Sequence, residues 1–213
     1  MTRIIKAAAA FPIRKRVRTL LFRRTVHSAI WIKLFLGLVA ASAVYVSIVS
    51  APLMIGLLAS SLALVMLAIA VIDWRSFIIP NWLNAAGFGL AIMHAAAQEP
   101  NMMTQAVAMA AMRGAALALI FFVLRYVYAQ LRGRQGLGLG DVKLAFVGGA
   151  WLDWLMIPIA IELATFAALS AYLLRQFISG RSVSATNRMP FGLFFAPAIW
   201  ICWVLEVRWL ELF

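Results

Sequence analysis

Two aspartates at the edges of long apolar runs carry the most informative chemistry in the chain. Asp73 ends the run Leu53–Ile72, and Asp141 follows the glycine-rich stretch Gly136–Gly140. The chain has only seven acidic residues, and charged groups beside hydrocarbon are costly and usually kept for chemistry or transport. Two carboxylates that share a proton can also activate water for hydrolysis of a peptide bond. The pair therefore predicts a functional site, whether hydrolytic or transporting.

The composition predicts that membrane helices position these aspartates. Of 213 residues, 65% are hydrophobic and 12% charged, with a mean hydropathy of +0.97. A soluble domain is about half apolar and about a quarter charged, so we predict an all-α integral membrane protein. Runs that approach the length of a bilayer-spanning helix predict seven segments: 31–49, 53–72, 81–97, 105–128, 141–152, 155–174 and 191–210. The third and the fifth of these are short. The expected architecture is a bundle of six to seven transmembrane helices.

The net charge of +12 is concentrated near the N-terminus. Nine of the nineteen lysines and arginines lie in the first 33 positions. No aromatic platform or binding motif accompanies them, so they indicate contact with anionic lipid at the cytoplasmic face and no nucleic-acid partner. We therefore predict a basic cytoplasmic segment over residues 1–30 and a membrane domain over 31–213.

The loop charges predict the orientation of the helices. With a cytoplasmic N-terminus, the connections on the inside carry many basic residues, whereas those on the outside carry none before Arg208. The inner set is Arg75, Arg132, Arg134, Arg175, Arg181 and Arg188. This asymmetry predicts that Asp73 and Asp141 lie on the same, cytoplasmic face.

Both aspartates are predicted to lie at helix ends. Asp73 closes the second apolar segment, and Pro80-Asn81 opens the third, where proline is well tolerated. Asp141 opens the fifth segment, where the helix dipole stabilises a carboxylate and where an aspartate can also be a simple cap. Asp73 has no such structural reason, because a helix C-terminus disfavours negative charge. Gly138 and Gly140 are predicted to leave room for a substrate backbone.

Three sequence elements resemble the type IV prepilin peptidase family. The segment Gly138-Leu139-Gly140-Asp141-Val142-Lys143 resembles its GxGD motif in the GxGDxK form. Asp73, followed seven positions later by Pro80-Asn81, resembles its other aspartate motif. Met189-Pro190-Phe191-Gly192 resembles its Pro-aromatic-Gly element. The order of the three elements is kept, and the resemblance covers about residues 53–200.

The resemblance implies a membrane aspartic endopeptidase of the bacterial inner membrane. Such an enzyme removes the basic leader from prepilin or pseudopilin precursors at the cytoplasmic face, without a metal or organic cofactor. Asp73 and Asp141 would form the catalytic dyad. The motif residues expected on the substrate side are Gly138, Gly140, Lys143, Pro80, Asn81, Pro190 and Gly192.

Departures from the family pattern narrow this expectation. The larger members have paired CxxC motifs and also N-methylate the new terminus, whereas this chain has one cysteine, Cys202. It therefore resembles the small Flp/Tad-type branch, and methyl transfer is not expected. The competing hypothesis is a small proton-coupled transporter that uses the same carboxylates, although transporters place such acids near the midplane.

Other residues yield secondary predictions. Arg113 and Glu162 lie inside apolar segments, and intramembrane charges usually pair, so we predict an ion pair between them. His27 and His94 are not expected to bind a ligand, and Cys202 is expected to be a packing residue. Four tryptophans at segment ends predict an interfacial belt: Trp31, Trp151, Trp154 and Trp209.

Overall fold

The computed structural model describes residues 11–133, 136–179 and 190–210, without the side chains of residues 11–29, 179 and 210. Within these ranges the chain forms seven α-helices, and the all-α class predicted from composition is confirmed. The helices are α1 (Phe11–Val49), α2 (Leu53–Ser76), α3 (Asn81–Gln98), α4 (Met103–Arg132), α5 (Leu139–Trp151), α6 (Met156–Ser179) and α7 (Gly192–Leu210). A 3₁₀ turn over Pro100–Met102 precedes α4.

Five helical segments are long and apolar enough to cross a membrane. They are Ile30–Val49, Leu53–Ser76, Pro100–Arg132, Met156–Ile178 and Gly192–Trp209. The remaining two helices, α3 and α5, correspond to the two apolar runs that are short in the sequence. The number of helices that cross the bilayer and the cytoplasmic position of the N-terminus stay predictions.

The chain divides into two compact units, residues 1–42 and residues 43–213. The described part of the first unit is helical and belongs to α1. The second unit contains the end of α1 and all the later helices. A boundary near residue 30 stays a prediction, and the basic side chains at positions 3–24 lie outside the described residues, as do Arg134, Arg181, Arg188 and Met189.

The short helix α5 is buried among its neighbours in the second unit. Its last eight residues are all buried except Phe146. A Cβ added at Gly149 would lie 2.7 Å from the Arg113 carbonyl oxygen of α4, and one added at Gly148 would lie 3.0 Å from Ile199 Cδ1 of α7. Small residues therefore let α5 approach both helices closely. This packing fixes the helix that carries Asp141 in its first turn.

The connection between α2 and α3 is short and sharply turned. Phe77 adopts a left-handed φ of 54°, and its N–H donates to the Asp73 carbonyl oxygen at 2.9 Å, which ends α2. Pro80 precedes α3, and its carbonyl oxygen accepts the Asn84 N–H at 3.3 Å. Asp73 thus lies in the last turn of α2, as predicted, and Pro80-Asn81 begins α3.

Two predictions about secondary residues were wrong. Arg113 forms an ion pair with Asp153 at 3.5 Å, because the turn after α5 brings Asp153 beside α4, while Glu162 lies exposed on α6. Trp151 is not interfacial: it is buried and stacks on His94 with 4.2 Å between ring centroids. The Asp153 N–H also donates to Glu206 Oε2 at 3.4 Å. We call Arg113, Asp153 and Glu206 the Arg113 cluster.

The other secondary predictions agree with the structure where it describes them. Cys202 is fully buried in α7, which confirms a packing role. Trp154 and Trp209 are exposed at or near helix ends, and Trp31 is exposed near the start of the apolar segment Ile30–Val49, as an interfacial belt requires. The side chain of His27 lies outside the described residues.

Candidate active site

The carboxylate of Asp73 is buried against the first turn of α7. Only 5% of the residue is exposed, and its Oδ2 accepts the Leu193 N–H at 3.0 Å. The first N–H groups of a helix have no partner within the helix and carry a partial positive charge. Although Asp73 ends one helix, its carboxylate is therefore stabilised by the start of another.

Gly192 makes this contact possible. A Cβ added at Gly192 would lie 2.9 Å from Asp73 Oδ2 and 2.8 Å from Ile79 Cδ1. Both distances are shorter than van der Waals contact, so a side chain at this position would displace the aspartate or Ile79. The Pro190-Phe191-Gly192 element thus lies directly against the first aspartate, and half-buried Pro190 and Phe191 lead into α7.

The carboxylate of Asp141 folds back onto the residue that precedes α5. The Gly138 N–H donates to Asp141 Oδ2 at 2.9 Å, which satisfies a backbone donor at the helix N-terminus. A Cβ added at Gly138 would lie 3.2 Å from the same oxygen. Asp141 is therefore a helix cap, and this structural role is compatible with a chemical one.

Ile79 connects the three motif segments. It is buried, with 7% exposed, and it occupies the space beside both Gly140 and Gly192. A Cβ added at Gly140 would lie 3.0 Å from Ile79 Cβ, so the room left by Gly140 is taken by the protein itself rather than left for a substrate. Through Ile79, the segments that carry Asp73, Asp141 and Gly192 pack against one another. We call this arrangement the aspartate site.

Polar side chains brace the same segments from outside. Lys143 Nζ donates to Asn81 Oδ1 at 2.7 Å, which joins the two aspartate motifs. Arg125 of α4 donates to the Leu137 carbonyl oxygen at 2.6 Å. These bonds hold the loop before α5 and the start of α3 in place, and they give Lys143 and Asn81 a shared structural role.

The electrostatics indicate that the two carboxylates are close enough to influence each other. The pKa of Asp141 is raised to about 6: burial is the largest cause, the Gly138 N–H opposes it, the negative charge of Asp73 adds to the rise, and the Arg125 guanidinium also opposes it. A carboxyl group with such a pKa exchanges its proton near neutral pH. A pair of this kind can keep one proton between two carboxylates, as general acid–base catalysis of hydrolysis requires.

Sequence reasoning missed three functional contacts. Leu193 contributes only its backbone N–H, so its residue type gives no indication of this contact. Arg125 is not among the residues singled out from the sequence, although its position before the glycine-rich stretch was an available signal. Ile79 looked like an ordinary apolar residue. Across residues 11–133, 136–179 and 190–210, no three His, Cys, Asp or Glu side chains are grouped in a way that could bind a metal ion.

The fold and the site together define a class: a helical membrane protein with two aspartates at helix ends. A family-wide sequence profile described as the Type IV leader peptidase family matches residues 60–173, which is more than half of the chain. The chain therefore belongs to the type IV leader peptidase family.

Individual relatives support the same assignment over shorter segments. Leader peptidase HopD of Escherichia coli is 38% identical over 78 residues, which cover 37% of this chain and 50% of that protein. A prepilin leader peptidase/N-methyltransferase of Aeromonas hydrophila is 34% identical over 83 residues, or 39% of this chain and 28% of that protein. A protein of the same name from Dickeya chrysanthemi is 31% identical over 128 residues, which cover 60% of this chain and 43% of that protein. The matches thus span half or less of these relatives' lengths, and no solved structure matches.

Proposed function

We propose that this chain is an aspartic endopeptidase that uses Asp73 and Asp141 to hydrolyse a peptide bond with water. The observation that carries the proposal is the packing of three motif segments around Ile79, which places one aspartate close enough to raise the pKa of the other. Like charges held together in this way favour a dyad that shares one proton.

In the proposed reaction, the ionised carboxylate takes a proton from water while the protonated one donates a hydrogen bond to the scissile carbonyl oxygen. The water oxygen bonds to the carbonyl carbon and gives a tetrahedral intermediate. When the C–N bond breaks, the departing nitrogen takes a proton from the dyad, which leaves an amine and a carboxylic acid and returns the dyad to its singly protonated state. The protons belong to the pair, so neither aspartate is assigned one role.

The proposed substrate is a prepilin or pseudopilin precursor: a single-span membrane protein whose basic leader precedes its apolar segment. Both aspartates lie within one turn of a helix end, which suits a cut at a membrane surface better than ion passage at the midplane. The cytoplasmic face of the bacterial inner membrane, the anionic-lipid contact of residues 1–30 and a peptidase-only activity belong to the same proposal. The expectation of no methyl transfer stays a prediction, since it rests only on the missing paired CxxC motifs.

The test is co-expression with a precursor that has a basic leader ending in glycine before an apolar segment. Wild type should remove the leader, whereas Asp73→Asn and Asp141→Asn should accumulate in the membrane and leave the precursor intact. Asp153→Asn is the matched control, because Asp153 lies at the other end of α5. Leader removal by either dyad variant at a rate near that of wild type would refute the proposal, and proton uptake by vesicles without cleavage would favour a transporter.

A further inference from the structure

An open groove of about 390 Å³ runs along α3 and α5 and begins beside the aspartate motifs. Its polar end contains Asn81 and Lys143, which are hydrogen-bonded to each other. Farther along, it is lined by apolar residues that include Phe88 and Phe146, whose rings meet edge to face at 5.0 Å. The groove therefore changes from polar to apolar as it leads away from the catalytic motifs.

Asn84 is the unusual residue of this groove. It lies one helical turn beyond Asn81 and is only 5% exposed. Neither its Nδ2 nor its Oδ1 has a hydrogen-bond partner among the described residues. A buried amide without partners costs free energy, and a ligand in the groove that offers both a donor and an acceptor would remove this cost once the side chain turns toward it. A peptide group offers both.

The register of the groove matches a peptide held at the aspartate site. Lys143 is two residues after Asp141, and Asn81 directly follows Pro80, so the polar end adjoins both motifs. A chain that leaves the dyad along α3 passes Asn84 before it reaches Phe88, one turn later. Its first residues would need polar partners, and those that follow would need apolar ones.

We propose that this groove binds the start of the substrate's apolar segment, immediately after the scissile bond, and that the Asn84 amide pairs with a peptide group there. The inference rests on the proposed peptidase function. The first N–H groups of a substrate helix lack partners within that helix, and Asn84 Oδ1 can accept one of them, while Nδ2 donates to a carbonyl oxygen of the extended segment. The apolar walls then receive the side chains that follow.

Site-specific crosslinking tests where the substrate lies. A benzoylphenylalanine placed at Ala85, which lines the groove, should crosslink to a bound precursor in the Asp141→Asn background, where the precursor stays uncut. Ala86 is the matched control, because it is exposed on the same helix but does not line the groove. Equal crosslinking from both positions, or crosslinking of position 85 to lipid alone, would overturn the inference.

The Asn84 variant tests the polar contact independently. Asn84→Leu should raise thermal stability, because it removes a buried amide that has no partner, yet it should raise KM for the precursor about tenfold while kcat changes little. Increased stability with an unchanged KM would mean that the amide does not touch substrate. Ala85→Trp should likewise raise KM, whereas Ala86→Trp should not, and equal effects would refute the groove.

The wild-type enzyme in the same membranes separates the two proposals. If wild type cleaves the precursor and position 85 does not crosslink to it, only the groove assignment fails. If wild type does not cleave the precursor, the peptidase proposal fails, and the groove assignment fails with it.

Discussion

The aspartate site and the Arg113 cluster hold charged groups at opposite ends of α5 and neutralise them differently. In the Arg113 cluster, opposite charges meet directly, with 3.5 Å between Arg113 Nη1 and Asp153 Oδ1. In the aspartate site, two carboxyl groups lie near each other, and each accepts a backbone N–H at the start of α5 or α7. The first arrangement neutralises charge directly, while the second keeps two carboxylates together, as the proposed peptidase reaction requires for proton transfer.

This difference explains the distribution of glycines. Glycines at the aspartate site lie against a carboxylate or against Ile79. Because they have no side chain, the backbone can approach the two carboxylates closely. The glycines nearer the Arg113 cluster, Gly114 and Gly149, instead let α4 and α5 pack backbone against backbone. Substitutions at the two ends should therefore affect different properties, namely catalysis at one end and stability at the other.

The largest expected effect comes from disrupting the aspartate site at Gly192. In Gly192→Ala, the added methyl group would lie 2.9 Å from Asp73 Oδ2, so the carboxylate must move. A displacement of this kind should lower kcat/KM for precursor cleavage by about 100-fold. Gly89→Ala is the control, since a Cβ at Gly89 meets nothing within 4 Å, and equal activity of the two variants would contradict the account.

The second prediction concerns the pKa of Asp141 and the pH dependence of stability that follows from it. Mainly because of burial, this pKa is raised to about 6, above its value of about 3.9 in the unfolded chain, so the folded state binds the proton more tightly. The stabilisation that comes from this protonation is fully present below about pH 4. That stability should be lost as the pH rises from about 4 to 6. Asp141→Asn should remove this pH dependence and raise the Tm at pH 7.5 by about 2–5 °C, while abolishing cleavage.

Thermal unfolding of wild type and Asp141→Asn from pH 4 to pH 8 checks this prediction. Asn can still accept the Gly138 N–H, so the cap is retained in the variant. A lower Tm for Asp141→Asn at neutral pH would show that the ionised carboxylate stabilises the fold, contrary to the account.

The third prediction disrupts the Arg113 cluster. Arg113→Met keeps an unbranched side chain of similar stem but removes the guanidinium and its ion pair with Asp153, and it should lower the Tm by about 2–4 °C. Cleavage per folded molecule should stay unchanged, because the cluster is at the far end of α5. Glu162→Gln, on the exposed face of α6, should alter neither property. A larger loss of stability in Glu162→Gln than in Arg113→Met would instead support the Arg113–Glu162 ion pair expected from sequence.

The smallest expected effect concerns Phe77, at the edge of the aspartate site. Its φ of 54° is unfavourable for a residue with a side chain, and glycine adopts it freely. Phe77→Gly should therefore destabilise the protein by about 1 kcal/mol less than Ile78→Gly, the neighbouring exposed apolar residue. Equal unfolding free energies of the two variants would show that the turn stores no strain.

The helices were predictable from sequence because their causes are local. Apolar runs bounded by Pro52, Pro80, Gly133 and Pro190 indicated all seven helices, and the structure adds extensions such as the start of α1 at Phe11. The position of α5 among α3, α4 and α7 was not predictable, because it depends on glycines of one helix that face backbone or side chains of another. Such contacts leave no periodic signal.

The candidate site was predictable in its residues but only partly in its contacts. Asp73 and Asp141 were distinguished by charge and position, whereas the partner of Asp73 is a backbone N–H 120 residues away. The ion pair of Arg113 was assigned to the wrong acid, because the choice between Glu162 and Asp153 depends on how α5 and α6 turn. Long-range packing decided both cases.

The most direct test of the account is a double-mutant cycle on the dyad. Cleavage rates of purified wild type, Asp73→Asn, Asp141→Asn and the double variant would be measured in vesicles with one precursor. If the two carboxylates act as a unit, each single variant should lose about three orders of magnitude or more, and the double variant should be no slower than either. Substantial cleavage by one single variant, or losses that multiply in the double variant, would contradict a shared dyad.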